Sequence, residues 1–179
     1  VQIGGKTYPV EELAVRMFEG EGESLIKNIT AITLPEGLKR LEKNSLYSEV
    51  VSATEVTIPA SVEYVGTYFL RGETLKKITF KGSPVLADNS VGTNYKLIHF
   101  MSQTPPAVGK YSFQSASLMV VAPDIASIPV YRTTLSGHWG VEKGYELSVY
   151  GGLKEADNVY YSAMEDGNAC AIYFDGTQT

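Results

Sequence analysis

The chain has 179 residues, of which 44% are hydrophobic and 20% are charged, and its formal net charge is −5. This length fits one domain, or one domain with an appendage, and the composition excludes disordered and collagen-like proteins. The acidic balance argues against a nucleic-acid partner, because nucleic-acid binding rewards clustered lysine and arginine.

Charge distribution, cysteine content and hydropathy further narrow the class of protein. Residues 142–179 carry seven acidic and two basic side chains, so the rest of the chain is neutral overall and the C-terminal segment is predicted to be a separate unit. The single cysteine, Cys170, excludes an intramolecular disulfide and is expected to be a small buried hydrophobe. No apolar run approaches the ~18 residues that a membrane span needs, so no transmembrane segment is expected.

Residues 1–24 are predicted to form an N-terminal helical cap. Within them, residues 9–18 place Pro9 in a first helical turn, Glu11 and Glu12 at the positive end of the helix dipole, and apolar side chains on one face. The acidic residues at positions 19, 21 and 23 lack the Asp/Asn pattern of a calcium loop, so this segment is predicted to be a solvated loop.

An internal repeat starts near residue 25. A short alternation of β-branched and other apolar residues, typical of a half-buried strand, recurs every 20–24 residues. Glu55–Gly66 shows the complete unit: one alternation, a proline, and a second alternation that ends at glycine. The last residues of the first alternations, which serve as anchors, are Leu34, Ile58, Phe80, Phe100 and Val121.

This repeat predicts a solenoid over residues 25–140. A unit of this length with one strand cannot bury its own apolar face, whereas stacked units form a parallel ladder with strands about 4.8 Å apart. A doubly wound fold would need crossover helices of at least ~10 residues, and segments such as 81–96, which contain glycine, proline and Asp-Asn, cannot supply them. We therefore predict a right-handed solenoid with five ladder strands.

Several stretches resemble the BspA-type leucine-rich repeat. These are Leu75–Phe80, Val56–Gly66 and Thr104–Gly109 with Phe113. The last coil, with Val121-Ala122-Pro123, Val130-Tyr131-Arg132 and Trp139, is similar to the ends of such arrays. The cysteine that this family often places after the phenylalanine is absent, because Phe69 is followed by Leu70, and the coil over residues 81–94 is degenerate.

The resemblance implies a secreted or surface-attached bacterial protein that acts by binding, often in adhesion to host or matrix proteins. The expected localisation is extracellular or cell surface, with a signal or lipid anchor removed from a chain that starts at Val1. Two alternatives stay open. The chain is either a glycan-binding module that uses exposed aromatics, or a structural spacer with no ligand of its own.

Residues 141–179 lie outside the resemblance. Alternations at 145–150, 158–161 and 171–174, separated by Gly-Gly and Asp-Gly turns, predict three strands. They would form a β-rich C-terminal cap or part of a small β domain.

The sequence predicts a non-catalytic protein without cofactor or metal. Its two histidines, His99 and His138, and Cys170 have no nucleophile, base or ligand partner at a recognisable spacing. Neither H-E-x-x-H nor G-x-S-x-G occurs in the chain.

The outward positions of the predicted ladder form the candidate binding surface. Thr33, Thr57, Thr79 and His99 are equivalent in successive units, so they should align as a polar stripe. The alternative is that the threonines only support one another across strands, by ~0.2–1 kcal/mol per pair. With flanking charges and one tyrosine, the predicted binding residues are Thr33, Glu55, Thr57, Tyr64, Lys77, Thr79 and His99.

The twelve tyrosines are the other unusual feature, since tyrosine is common in protein and sugar recognition. Tyr68 and Tyr111 are expected to fill the coil interior, whereas Tyr64 is expected to be available to a partner. Trp139 is expected to close the last coil.

Overall fold

The computed structural model describes residues 2–3, 5–14, 29–47, 53–71, 74–91, 95–113, 118–137, 147–157 and 159–174. Within these ranges most strands are two to four residues long, and a 3-10 turn (Ile125–Ser127) leads into helix α1 (Ile128–Ser136). The strands, in chain order, are β1 (Gln2–Ile3), β2 (Lys6–Thr7), β3 (Glu12–Leu13), β4 (Arg40–Leu41), β5 (Leu46–Tyr47), β6 (Glu55–Ile58), β7 (Tyr64–Val65), β8 (Leu70–Arg71), β9 (Lys77–Phe80), β10 (Val85–Leu86), β11 (Leu97–Phe100), β12 (Ala107–Val108), β13 (Met119–Ala122), β14 (Ser148–Ala156), β15 (Val159–Ala163) and β16 (Ala169–Phe174).

Two sheets run along the molecule. One has the order β16-β15-β14-β13-β11-β9-β6 and the other the order β12-β10-β7-β4-β3. The pairs β6/β7, β9/β10 and β11/β12 each give one strand to each sheet, and their pairings are parallel. The predicted repeat solenoid is therefore confirmed as a parallel β-solenoid of about three complete turns; the right-handed, leucine-rich-repeat-like winding stays a prediction.

The strand register confirms four of the five anchors. Ile58 lies opposite Phe80, and Phe80 lies opposite Phe100. A bridge between Thr33 and Thr57 places the residue after Thr33, Leu34, at the same level. The fifth anchor is wrong by one residue: Val121 pairs with His99, so the anchor position belongs to Ala122. The cause is that residues 119–122 are all apolar, which leaves the phase of the alternation undefined.

The inward side chains of the ladder form one continuous core. Phe80 and Phe100 stack with ring centroids 5.2 Å apart, and Tyr131 of α1 continues the stack at 5.3 Å from Phe100. The Tyr131 hydroxyl donates a hydrogen bond of 2.7 Å to the Ser102 carbonyl, which satisfies its one polar atom. Helix α1 thus closes the interior after the last complete turn. In the part of the chain that the structure describes, no helix is long and apolar enough to cross a membrane.

The predicted N-terminal helix is wrong over its described part. Glu12 and Leu13 form strand β3, which pairs in parallel with β4 of the first coil. The Glu11 carbonyl accepts hydrogen bonds from the Lys39 and Arg40 amides. An open sheet edge exposes a row of backbone donors and acceptors, so pairing there outweighs a weak local helix preference. Residues 15–28, which hold the rest of this prediction and the acidic loop, lie outside the described residues.

The C-terminal segment continues the seven-stranded sheet. Its three predicted strands are present as β14, β15 and β16. The turn predicted at Gly151-Gly152 is wrong, because β14 runs through both glycines to Ala156. The first part of β14 pairs in parallel with β13, and its second part pairs antiparallel with β15 after a register shift between Gly151 and Lys154. Gly152 there has a φ of +70°, which an L side chain rarely adopts, so the bend depends on glycine. His138 and Trp139 lie outside the described residues.

Candidate binding surface

The side of β6, β9, β11 and β13 that faces away from the interior is called the outer face. On it, Thr57 pairs with Thr33 on one side and with Thr79 on the other, and Thr79 pairs with His99. The predicted in-register row is therefore confirmed. Its members nevertheless differ in exposure, since Thr33 and Thr57 are exposed, His99 is half-buried and Thr79 is buried.

A C-terminal hairpin packs on the outer face beside the two less exposed residues, over Val121, which pairs with His99. Strands β15 and β16, with the turn that joins them, are called the cover (residues 159–174). Tyr160 of the cover packs in a second apolar cluster against Leu97 and Val121, two outer-face residues with no exposed surface. Burying each of these side chains contributes about 1.5–3 kcal/mol, so the cover is a stable part of the fold. The C-terminal half of the predicted stripe consequently lies beneath protein.

Lys77 stands at the border between the covered and open parts. Its ammonium pairs with the Glu55 carboxylate and donates a 3.2 Å hydrogen bond to the hydroxyl of Tyr160. The same Nζ lies 4.8 Å from the centroid of the Tyr160 ring, a cation–π distance. Burial acts most strongly on Lys77 and disfavours its charge, but the hydrogen bonds to Glu55 and Tyr160 outweigh it, and the pKa of Lys77 lies above its ordinary value. Lys77 therefore anchors the cover rather than offering a free charge to a partner.

His99 is held in the neutral form. Burial, together with the positive charge of nearby Lys77, lowers the pKa of His99 to about 4. At physiological pH His99 is therefore a neutral, half-buried side chain, and it is not one of the accessible binding residues.

The depressed pKa of His99 makes stability depend on pH. In the unfolded chain the imidazole takes up a proton near pH 6.5, whereas in the folded protein it does so only near pH 4. The unfolded state therefore binds more protons between these values, and lowering the pH from about 6.5 to about 4 is expected to destabilise the fold. Urea unfolding of the wild type and of His99→Gln, at about pH 7.5 and about pH 4.5, measures the effect. The wild type should lose more stability than the variant, and equal losses would contradict the assignment.

The open part of the outer face is a groove at the N-terminal end of the ladder. Two adjoining segments line it, residues 30–36 and residues 54–57. Across it, the Lys81 ammonium lies 3.3 Å from a Glu36 carboxylate oxygen. The exposed Thr33, Thr57 and Glu55 of the predicted set all lie on this groove.

Tyr64 lies elsewhere. It belongs to β7 of the five-stranded sheet, in register with Arg40 and Val85, so it is not part of the outer face. The Arg40 guanidinium sits 4.3 Å from the centre of its ring, and the Arg40 Nε donates a 2.7 Å hydrogen bond to Glu42. Tyr64 therefore already stacks with a cation of the preceding coil, and the structure does not bring it together with the threonine row.

A signal for the cover exists in the sequence. The outward residues at one level of the ladder run from Glu55 and Lys77 to Leu97 and Met119, and so change from charged to apolar along the stack. Apolar residues at outward positions require a covering element. The predicted binding surface included Glu55 and Lys77 from this level but not the apolar Leu97 and Met119 that follow them.

Nothing in the described ranges has the composition of a metal centre, since no group of three or more His, Cys, Asp or Glu side chains comes together there. Cys170 is half-buried on β16 rather than fully buried as predicted, because β16 lies at an edge of its sheet.

No protein-family model matches the chain, and no curated protein or solved structure matches it either.

Proposed function

We propose that this protein is a non-catalytic binding protein of the bacterial cell surface or secreted space, and that it binds a host or matrix protein through the groove at the open end of its outer face. One observation carries the proposal. Thr79 is buried and His99 half-buried beside the cover, whose Tyr160 packs on Leu97 and Val121, yet Thr33, Glu55 and Thr57 stay exposed along a groove between two ladder segments. Solenoids use such extended faces for binding.

The chemistry of the groove suits a protein partner. Threonine hydroxyls on neighbouring strands supply both donors and acceptors, and the Glu36 and Lys81 side chains add one charge of each sign. Mixed polar surfaces of this kind favour specificity through hydrogen bonds and charge complementarity. The similarity to BspA-type repeats in Val56–Gly66 and Leu75–Phe80 supports the surface localisation and the adhesive role.

Thr57→Lys tests the groove. Thr57 lines it with its side chain exposed, so a lysine there leaves the core intact but adds bulk and a positive charge to the groove. We expect binding to immobilised collagen, fibronectin or laminin, measured by surface plasmon resonance, to weaken by about tenfold or more, which corresponds to ~1.4 kcal/mol.

Thr133→Lys is the matched control, because Thr133 is an exposed threonine of α1 and is absent from the groove. This variant should bind as the wild type does. Equal weakening in both variants would show a nonspecific charge effect, and a wild-type chain that binds none of the three matrix proteins would favour the spacer alternative.

A further inference from the structure

Four residues in successive coils share an unusual backbone conformation. Asn44, Tyr68, Asn89 and Tyr111 have φ values of 55°, 48°, 53° and 54°. Each follows by three positions a strand residue of the five-stranded sheet, and these strand residues are in register with one another: Leu41, Val65, Leu86 and Val108. The four residues are therefore equivalent, and together they are called the left-handed column.

Backbone hydrogen bonds hold the left-handed column together. The Asn44 amide donates to the Thr67 carbonyl at 3.1 Å, the Tyr68 amide to the Asn89 carbonyl at 3.0 Å, and the Asn89 amide to the Lys110 carbonyl at 2.9 Å. The next residue in each coil, such as Phe69 or Ser112, is buried. The conformation turns the chain inward directly after the column. Tyr68 and Tyr111 themselves stay exposed, whereas Asn89 is half-buried and Asn44 is buried.

Asparagine at these positions is explained by the backbone, but tyrosine is not. Asparagine is several-fold enriched in the left-handed region, whereas a bulky residue there is an outlier that costs of order 1 kcal/mol or more. Tyr68 and Tyr111 do not offset this cost by filling the interior as predicted, because their side chains are on the surface, with 40% and 44% of each residue exposed. Two exposed aromatic side chains therefore recur at equivalent positions of alternate coils, where each presents apolar surface to the solvent.

The spacing of the two tyrosines suggests the ligand. They are two coils apart, which at ~4.8 Å per coil corresponds to about 10 Å. In a β-1,4-linked sugar chain, alternate units present the same ring face, and two units span a comparable length. The polar side chains next to the tyrosines include the exposed Lys110 and Asp88, and Asp88 already accepts a hydrogen bond from the Lys110 amide at 2.7 Å. Aromatic rings with polar neighbours match the alternating apolar faces and hydroxyl edges of such a sugar chain.

We propose that Tyr68 and Tyr111 form a carbohydrate-binding site for an extended β-1,4-linked polysaccharide, with one sugar ring on each tyrosine. The site is formed by the turns that follow β7 and β12, away from the outer-face groove, so it stands or fails independently of the proposed protein partner.

Tyr68→Asn and Tyr111→Asn test the site, since asparagine is the residue that the other two coils carry there. Titration calorimetry with cellohexaose, chitohexaose and xylohexaose should detect binding of at least one of them to the wild type. Each variant should bind that sugar about tenfold more weakly, as expected for the loss of one aromatic contact. The thermal midpoints of the variants should be unchanged or higher, because the backbone strain is relieved.

Tyr161→Thr is the control, because it removes an exposed tyrosine from the cover and should leave the affinity unchanged. The proposal is overturned if none of the three hexaoses binds at millimolar concentration, or if both Tyr68→Asn and Tyr111→Asn keep wild-type affinity. Lower thermal midpoints in the asparagine variants would overturn it too, since the tyrosines would then be structural. The proposal would also be overturned if a proline-rich peptide bound in a way that depends on both tyrosines while none of the sugars bound.

Discussion

Replacing Ile58 with aspartate is expected to unfold the protein, while the same replacement at the adjacent Thr57 leaves it folded. Ile58 is 1% exposed and lies in register with Phe80, at the level where the aromatic stack fills the interior. A carboxylate there would lose its hydration with no polar partner, at a cost of several kcal/mol. Since a domain of this kind is stable by only ~5–15 kcal/mol, that loss removes most of its stability.

Ile58→Asp and Thr57→Asp can be compared directly, because both changes introduce the same charge into the same strand and differ only in the side of the strand that carries it. The Thr57 side chain points to the groove and keeps its hydration after substitution. Circular dichroism during thermal and urea unfolding should show a cooperative transition for Thr57→Asp and little folded protein for Ile58→Asp. If both variants melt alike, the inward and outward positions of β6 have been assigned incorrectly.

Gly66→Ala is expected to destabilise the solenoid by roughly 3 kcal/mol, which lowers the thermal midpoint by about 6–12 °C. A Cβ at Gly66 would lie 2.6 Å from the Lys43 nitrogen and 2.8 Å from the Glu42 carbonyl carbon in the preceding coil. These are backbone atoms, and the Gly66 amide also donates a 2.7 Å hydrogen bond to the Leu41 carbonyl. The coils can separate to admit the methyl group only by straining this backbone ladder.

Gly137→Ala provides the control. Gly137 follows α1 with φ −76° and ψ −6°, a conformation open to alanine, and a Cβ there would meet nothing within 4 Å. The change should stabilise the protein by up to about 1 kcal/mol, because alanine restricts the unfolded chain more than glycine does. Differential scanning calorimetry measures the thermal midpoints of both variants. Equal midpoints would contradict the close approach of the coils at Gly66.

The ladder and its core could be predicted because their signal is local and repeated. Ile32-Thr33-Leu34, Glu55–Ile58 and Lys77–Phe80 each show the two-residue period of a half-buried strand, and the near-constant spacing between them specifies stacking. The fifth coil departs from this pattern. Residues 119–122 carry no polar marker, and only the pairing of Val121 with His99 defines their phase.

The left-handed column could also have been found from the sequence. Asn44 and Asn89 occupy the same place in their coils, and asparagine at equivalent turn positions indicates positive φ. Tyr68 and Tyr111 would then have been predicted as surface residues. They were instead expected inside, because an aromatic residue between apolar neighbours resembles a core residue when its backbone conformation is not considered.

The sequence by itself determined the parallel solenoid, the inward residues of its main ladder and the three C-terminal strands, since periodicity and turn residues act over a few positions. Only the tertiary structure decided that β3 pairs with β4, that the cover packs on Leu97 and Val121, and that Thr79 is buried while Thr33, Glu55 and Thr57 remain open. Those outcomes depend on contacts between distant segments, such as Lys77 with Tyr160, for which local sequence carries little information. A repeat specifies its own stacking, whereas the elements that close its ends and cover its faces are selected by the surfaces that the stack leaves exposed.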